Sequence, residues 1–193
     1  MQKNRLEAFS DGVLAIIITI MVLEIKVPHS TDWHELLALW PVFFSYILSF
    51  IYVGIYWGNH HHLLHTIRTV NPGIIWSNMA LLFCLSLIPF ASAWMGENHF
   101  ETNPVIVYAI ILELNALSYF MLQICILKSQ VHHEKLKAAL EKSKAKGILS
   151  QVAYISAIPI AYWQPTISFV LFAAVALAWI VPEKRIEEAL KGE

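Results

Sequence analysis

The segment RLEAFSDGVLAIIITIMVL, residues 5–23, decides the fold because it places charge at the entrance to an apolar helix. Its uninterrupted apolar core, residues 13–23 with only Thr19 polar, covers about 16 Å of helix, which is about half of a bilayer's hydrocarbon thickness. To cross a membrane, this helix must bring Ser10 and Asp11 to membrane depth. A charged side chain there costs several kcal/mol unless it is paired or faces water. We therefore predict that protein or water shields the polar end of this helix.

The composition indicates an integral membrane protein with short loops. Of its 193 residues, 58% are hydrophobic and 14% are charged, and the net charge is −1. Soluble domains are typically about 25% charged. The near-neutral net charge argues against a nucleic-acid partner. The two cysteines, Cys84 and Cys125, lie inside apolar runs, which excludes a disulfide framework.

Six apolar segments approach the roughly 20 residues that span a bilayer. They occupy about residues 6–27, 40–62, 74–95, 104–127, 148–163 and 165–181. The last two are short and are separated only by a tight turn at Gln164 and Pro165, so a single re-entrant hairpin is the alternative to two full spans. We favour six spans that form one domain over residues 1–193.

The basic residues indicate how the spans are oriented. They precede span 1, lie between spans 2 and 3 and between spans 4 and 5, and follow span 6, with Lys26 as the exception. This set comprises Lys3, Arg5, Arg68, Lys128, Lys135, Lys137, Lys142, Lys144, Lys146, Lys184, Arg185 and Lys191. By the positive-inside rule, both termini are cytoplasmic, which requires an even number of spans.

Local signals predict one short helix and two kinks. Asp32 and Glu35 have the spacing of a capping box and predict a short helix that leads to Pro41. Pro89 and Pro159 lie inside spans and are expected to kink them.

The charges of span 1 need partners on other helices. Arg5 and Asp11 are six residues apart, which separates them by about 120° on a helix, so they cannot form an intrahelical pair. The polar groups at the corresponding ends of spans 2 and 3 are Asn59, His60, His61, His62, His65, Trp76 and Asn78. Because Trp donates hydrogen bonds and Asn both donates and accepts them, we expect Asp11 to accept from some of these groups.

An apolar stripe follows these charges along span 1. Ile16, Ile20 and Leu23 have the i, i+4, i+7 spacing of one helix face, and Thr19 borders it. The commoner interpretation of such a stripe is helix–helix packing. The other is a pore wall contributed by several subunits, since rings of branched apolar side chains can close a pore by dewetting. The spacing alone does not choose between them.

Three motifs in this sequence resemble the bacterial branch of the transmembrane protein 175 family, potassium channels of the endolysosomal type. The first is R-x-x-x-F-S-D followed by the apolar run, and it comprises Arg5, Phe9, Ser10 and Asp11. The others are YWGNHH, residues 56–61, and WSNMALLFCLSLIPF, residues 76–90. The resemblance covers essentially the whole chain, including the six-span layout.

The resemblance implies an all-α homotetrameric channel in the cell membrane of a bacterium or archaeon. It implies K⁺ as the permeant ion, no cofactor and no enzymatic activity, and conduction without a TVGYG filter, which this sequence lacks. By position in the family, Ile16 forms the narrowest ring of a pore lined by span 1, Ile20 and Leu23 form successive rings outward, and Thr19 matches a threonine one turn beyond the first ring.

The resemblance also implies an anchoring role for the first motif. Arg5, Phe9, Ser10 and Asp11 would hold the pore helix through hydrogen bonds to spans 2 and 3. The candidate partners there are Asn59, His60, His61, Trp76 and Asn78.

The histidine cluster raises a competing interpretation. His61 and His65 have the i, i+4 spacing that can bind zinc. Because no comparable histidine or carboxylate set follows in spans 3 and 4, we expect no metal. We expect some of these histidines to be partners of Asp11 or Arg5 and others to face the cytoplasmic interface. The alternatives to a potassium channel are a proton-coupled secondary transporter, a proton-permeable channel and a membrane metalloenzyme. Internal repeats, which transporters often show, are not evident.

Overall fold

A computed structural model describes residues 2–129 and 134–180 of the chain, with side chains over residues 2–129 and 144–180. The described residues form eight helices and no strand. The helices are α1 (Lys3–Leu23), α2 (Trp33–Ala38), α3 (Trp40–His65), α4 (Pro72–Ser86), α5 (Ile88–Glu97), α6 (Thr102–Ser129), α7 (Glu134–Trp163) and α8 (Pro165–Ile180). The prediction of an all-α protein is confirmed.

The helices follow the predicted apolar segments closely. Helix α1, helix α3, the α4–α5 pair and helix α6 coincide with the first four, and within the described residues these four are long and apolar enough to cross a membrane. Helix α8 is apolar but has only 16 residues. The apolar part of α7, which follows Gly147, packs beside it. Six full spans therefore stay a prediction for the last pair.

Several of the basic residues that indicate the orientation of the spans have side chains outside the described part of the chain. Lys184, Arg185 and Lys191 lie beyond residue 180, and the side chains of Lys135, Lys137 and Lys142 lie in the stretch where only the backbone is described.

Proline interrupts the third apolar segment. Helices α4 and α5 meet at Leu87, two residues before Pro89, because proline has no N–H to continue the helical ladder and its ring crowds the preceding turn. The N–H of Leu87 instead bonds to the carbonyl of Cys84 at 3.2 Å, in a tighter turn. Pro159, by contrast, lies inside α7 without ending it. Of the two prolines predicted to kink a span, only Pro89 coincides with an interruption of the helix, and the kink at Pro159 stays a prediction.

The predicted short helix is present as α2. The Asp32 carboxylate caps it by accepting from the backbone N–H of His34 at 2.9 Å. Glu35 accepts from the backbone N–H of Ser30 at 3.1 Å instead of completing the box with Asp32. Helix α3 then begins with Pro41 in its first turn, where a missing N–H costs nothing.

The core is shared by α1 and by α3 to α8, and α1 packs at one edge of it. Tyr108 and Phe172 are fully buried with ring centroids 5.4 Å apart. The hydroxyl of Tyr52 donates to the carbonyl of Phe172 at 2.7 Å. Helix α1 packs on α3, α4 and α5, whereas α7 and α8 pack on α6 and α3. The first helix therefore has neighbours on one side only within a single copy of the chain.

Helix α5 approaches α3 closely at Gly96. A Cβ at this position would lie 2.7 Å from the Cα of Val42 and 3.2 Å from the carbonyl oxygen of Pro41. Because these are backbone atoms, we expect Gly96→Ala to lower the free energy of unfolding by about 1–3 kcal/mol, measured as a lower thermal midpoint in detergent. At Gly58 of α3 a Cβ would meet nothing within 4 Å. Gly58→Ala is thus the matched control, and an equal loss in both variants would contradict the close approach.

Candidate functional site

Helix α1 has one buried face. Its buried residues recur every three or four positions and pack against α3, α4 and α5. They are Leu6, Ser10, Leu14, Ile17 and Met21. This face packs α1 into the core of its own chain.

The opposite face of α1 is exposed and apolar. Ile16, Ile20 and Leu23 have 58%, 41% and 79% of their surface accessible, and Thr19 between them is exposed as well. Phe9, seven residues before Ile16, extends the same face and is also exposed. Contiguous exposed apolar surface marks an interaction site or a membrane contact. Within one copy of the chain, the predicted stripe is therefore largely exposed, although Ile16 and Ile20 border a groove whose other wall includes Pro89 and Phe90 of α5.

Thr19 adds one polar group to this stripe. Its hydroxyl lies 3.0 Å from the carbonyl oxygen of Ala15 and 3.0 Å from that of Ile16. A hydroxyl has one proton to donate and two lone pairs. Because the proton is directed at the backbone of α1, the oxygen keeps acceptor capacity on the exposed face.

A buried hydrogen-bond chain joins α1 to α4 and α3. The Asn78 Nδ2 donates to Ser10 Oγ at 2.9 Å, and Asn78 Oδ1 lies 2.6 Å from His60 Nε2. Since the Asn78 oxygen can only accept, His60 carries its proton on Nε2. Ser10 passes its own proton to the carbonyl of Leu6 at 2.8 Å. All three polar side chains are at most 1% exposed, so this chain fixes the rotation of α1 against two neighbours.

Asp11 is held by a residue that the sequence did not single out. The indole Nε1 of Trp57 donates to Asp11 Oδ1 at 3.0 Å. Trp57 lies in the quoted YWGNHH motif, three residues before His60 and therefore on the same side of α3. That spacing was the signal that could have identified it.

Glu7 is a second residue that sequence reasoning missed. Its Oε1 lies 3.2 Å from His61 Nδ1 and 3.3 Å from His65 Nε2. The two histidines are themselves 3.1 Å apart at Nε2. Lys3 adds a further link by donating to the carbonyl of His65 at 2.7 Å. Glu7 could have been found because it lies four residues before Asp11, a spacing that places side chains near each other on a helix.

Two predicted partners are directed elsewhere. The Nδ2 of Asn59 donates to the carbonyl of Ile55 in its own helix at 3.0 Å, and its carbonyl accepts from Tyr119 of α6 at 3.2 Å. Trp76 is 74% exposed, and over the described residues its indole has no hydrogen bond. The placement of Asn59 and Trp76 beside the charges of α1 is therefore corrected: within one copy, Trp57 is the partner of Asp11, and His61 and His65 lie beside Glu7.

The first motif divides into two pairs. Ser10 and Asp11 bond to α4 and α3, as expected. Arg5 and Phe9 are exposed, and the Arg5 side chain has no hydrogen bond or ion pair with any residue that the structure describes. The expected bonds from Arg5 to spans 2 and 3 are thus absent from a single copy, because Arg5 lies on the same face as Ile16, about three turns away.

Comparisons with known proteins place this arrangement among ion channels. A family model described as the endosomal/lysosomal potassium channel TMEM175 matches residues 5–89, which include the polar contacts of Glu7, Ser10 and Asp11 described above. A protein named a potassium channel from Chryseobacterium sp. (strain P1-3) is 50% identical over 191 residues, covering 99% of each chain. A mouse protein named an endosomal/lysosomal proton channel is 34% identical over 121 residues, or 54% of this chain and 24% of its own.

The fold has a counterpart among solved structures. The crystal structure of a lysosomal potassium-selective channel TMEM175 homologue from Chamaesiphon minutus superposes with a TM-score of 0.71. The match covers 93% of this chain and 96% of that one, at 24% sequence identity. At that identity the likeness concerns the fold.

Proposed function

Because the chain belongs to the family of the endosomal/lysosomal potassium channel TMEM175, we propose that it conducts K⁺ through a pore lined by α1 from four copies of the chain. The family consists of ion channels, so the chain is a membrane cation channel and not an enzyme. The single observation that carries the pore assignment is the exposed stripe of α1.

The stripe supports the pore for a geometric reason. The buried face of α1 is occupied by its own protomer, so the exposed face is free to meet copies of itself around a central axis. One copy cannot enclose a pathway, whereas a ring of copies would surround it with branched apolar side chains that close by dewetting. In this proposal Ile16 forms the narrowest ring, and Ile20 and Leu23 form the next two rings outward.

In this proposal, the preference for K⁺ follows from a narrow apolar constriction next to a ring of Thr19 hydroxyl oxygens. K⁺ distorts its hydration shell at lower cost than Na⁺, so a narrow apolar constriction favours it. The Thr19 oxygen, whose proton is directed at its own backbone, would offer lone pairs to a partly dehydrated ion. No ring of charged side chains lies on the stripe as described, so we expect the selectivity over Na⁺ to be moderate.

The polar contacts of α1 serve as anchors in this proposal. The Ser10–Asn78–His60 chain and the Asp11–Trp57 bond fix the rotation of α1, and hence the direction of the stripe. The distribution of basic residues supports six spans within one domain over residues 1–193, with both termini in the cytoplasm of a bacterial or archaeal cell. The anchoring end of α1 would then lie at the cytoplasmic side.

Reconstitution tests this proposal. Proteoliposomes that hold a K⁺ gradient and no other gradient should show K⁺ flux in the presence of the chain, and a smaller Na⁺ flux under the matched Na⁺ gradient. The detergent-solubilised protein should have the mass of four chains by light scattering. A stable monomer, or flux that requires a second coupled ion, would overturn the proposal.

Proton permeation is a second candidate, and the name of the mouse relative favours it. The measurement is a pH-sensitive dye trapped in K⁺-free proteoliposomes under a proton gradient. Acidification above that of empty vesicles supports proton conduction, and equal rates exclude it.

A further inference from the structure

Three possible metal-ligand atoms meet where α1 crosses the end of α3. Glu7, His61 and His65 each offer one such atom, and these atoms lie within 4.8 Å of one another. The closest approaches are 3.1 to 3.3 Å. Ligands about 2.0–2.1 Å from a tetrahedral zinc ion lie roughly 3.3 Å apart. The approach to Glu7 uses His61 Nδ1 and the approach to His65 uses His61 Nε2. With one nitrogen from each histidine, the three ligand atoms lie within 4.8 Å of one another, so small side-chain shifts would bring them to the spacing of one face of such a site.

The donor set is that of a borderline divalent cation. Two imidazole nitrogens and one carboxylate oxygen suit Zn²⁺ and its neighbours among the transition metals, whereas Mg²⁺ and Ca²⁺ prefer oxygen donors alone. We expected no metal at the histidines because spans 3 and 4 carry no comparable set of histidines or carboxylates. Glu7 of span 1 supplies a carboxylate instead.

The site is accessible and partly preorganised. The side chains of His61 and His65 are 38% and 47% accessible, whereas that of Glu7 is 17% accessible. An ion can thus enter from the histidine side and keep a fourth position for water. The ring of Trp57 stacks on His61 at 6.1 Å with an interplanar angle of 28°, which restricts that imidazole. Such outer support typically matters for metal affinity.

We propose that Glu7, His61 and His65 bind a divalent transition-metal ion of the zinc class, which ties α1 to α3. Because α1 carries the exposed stripe, a bound ion would restrict its movement and reduce conduction. Only this consequence for conduction rests on the proposed function; the binding site stands on its own geometry.

Metal titration of the full-length chain in detergent tests the site. After treatment with a chelator, the wild-type protein should bind one Zn²⁺ per chain by calorimetry and give the visible absorption of tetrahedral Co²⁺ when Co²⁺ replaces it. Glu7→Gln and His65→Gln should each weaken binding by roughly tenfold or more. His34→Gln is the control because His34 is an exposed histidine on α2, outside the cluster.

Two outcomes would overturn the site. One is wild-type affinity no greater than that of Glu7→Gln, and the other is an equal loss in His34→Gln. Gel filtration reports whether each variant folds. If Glu7→Gln does not, the more accessible His65→Gln decides the question.

The consequence for conduction has its own measurement. Zn²⁺ should reduce K⁺ flux into proteoliposomes of the wild-type chain and should have at least tenfold lower potency on His65→Gln. Stoichiometric binding with unchanged flux would overturn the restriction of α1 but support the site. A wild-type chain that binds Zn²⁺ yet carries no K⁺ would overturn the proposed function alone.

Discussion

Replacing Ile16 by asparagine should raise the permeability of the channel to Na⁺ relative to K⁺ severalfold. The Ile16 side chain is 58% exposed on the stripe of α1, and in the proposed tetramer four copies of it form the narrowest ring. Asparagine is smaller and brings an amide that binds water, so the ring should widen and hydrate. A hydrated constriction no longer requires the ion to shed water, so K⁺ loses its advantage over Na⁺ in permeation. The measurement is the reversal potential in planar bilayers with K⁺ on one side and Na⁺ on the other.

A control on the same helix makes this experiment specific. Val22 is similarly exposed but lies six residues from Ile16, about 120° away around α1. Val22→Asn should leave the reversal potential unchanged. Ile16→Leu, which conserves volume, should do the same. If Ile16→Asn assembles as the wild type does and keeps both conductance and selectivity, Ile16 does not form the constriction. If Ile16→Asn fails to assemble, the same measurement is made on Ile16→Ala.

Replacing Asn78 by leucine should destabilise the protein by about 1–3 kcal/mol. Asn78 is fully buried and links Ser10 of α1 to His60 of α3. Without it, the His60 N–H at Nε2 loses its acceptor in a buried position, while Nδ1 already has no partner. Ser10 is less affected because it still donates to Leu6. Thermal unfolding in detergent should show a midpoint several degrees lower, at about 2–4 °C for each kcal/mol in a chain of this size.

Two further variants separate the hydrogen bonds from general damage to the helix. Asn103→Leu changes an exposed asparagine at the start of α6 and should shift the midpoint little. The double variant Asn78→Leu with His60→Leu should be more stable than Asn78→Leu alone, since removing both partners avoids an orphaned buried donor. If the double variant is no more stable than the single one, the hydrogen bond to His60 is not the source of the loss.

The helices could be predicted from the sequence because their signals are local. Apolar runs fixed the positions of α1, α3 and α6 within a few residues, and the interruption before Pro89 follows from a missing N–H. The cap at Asp32 depends on residues within three positions of it. Pro159 lies inside α7, which continues through it. A helix can retain its hydrogen bonds on either side of a proline when neighbouring helices hold it in place.

The site could be predicted in part. Periodicity identifies which residues share a face of α1, so the stripe that begins at Ile16 was visible in the sequence. It does not state which face of α3 turns toward α1, because that rotation is set by the packing of the whole bundle. For this reason Trp57 and Glu7 were missed, and Asn59 and Trp76 were assigned contacts that other residues make. A sequence lists the polar groups near one end of a bundle, but only the packed structure pairs them.

The apolar wall of α1 has a consequence for biogenesis. A conduction path built from carboxylates or unpaired carbonyls would have to be hidden from lipid until every subunit had arrived. Ile16, Ile20 and Leu23 can face acyl chains directly, and the hydroxyl of Thr19 is already bonded to the carbonyls of its own helix. If α1 lines the pore of the proposed tetramer, a newly made chain could therefore insert and fold alone, diffuse in the plane of the bilayer, and acquire its water-filled path only when it meets other copies.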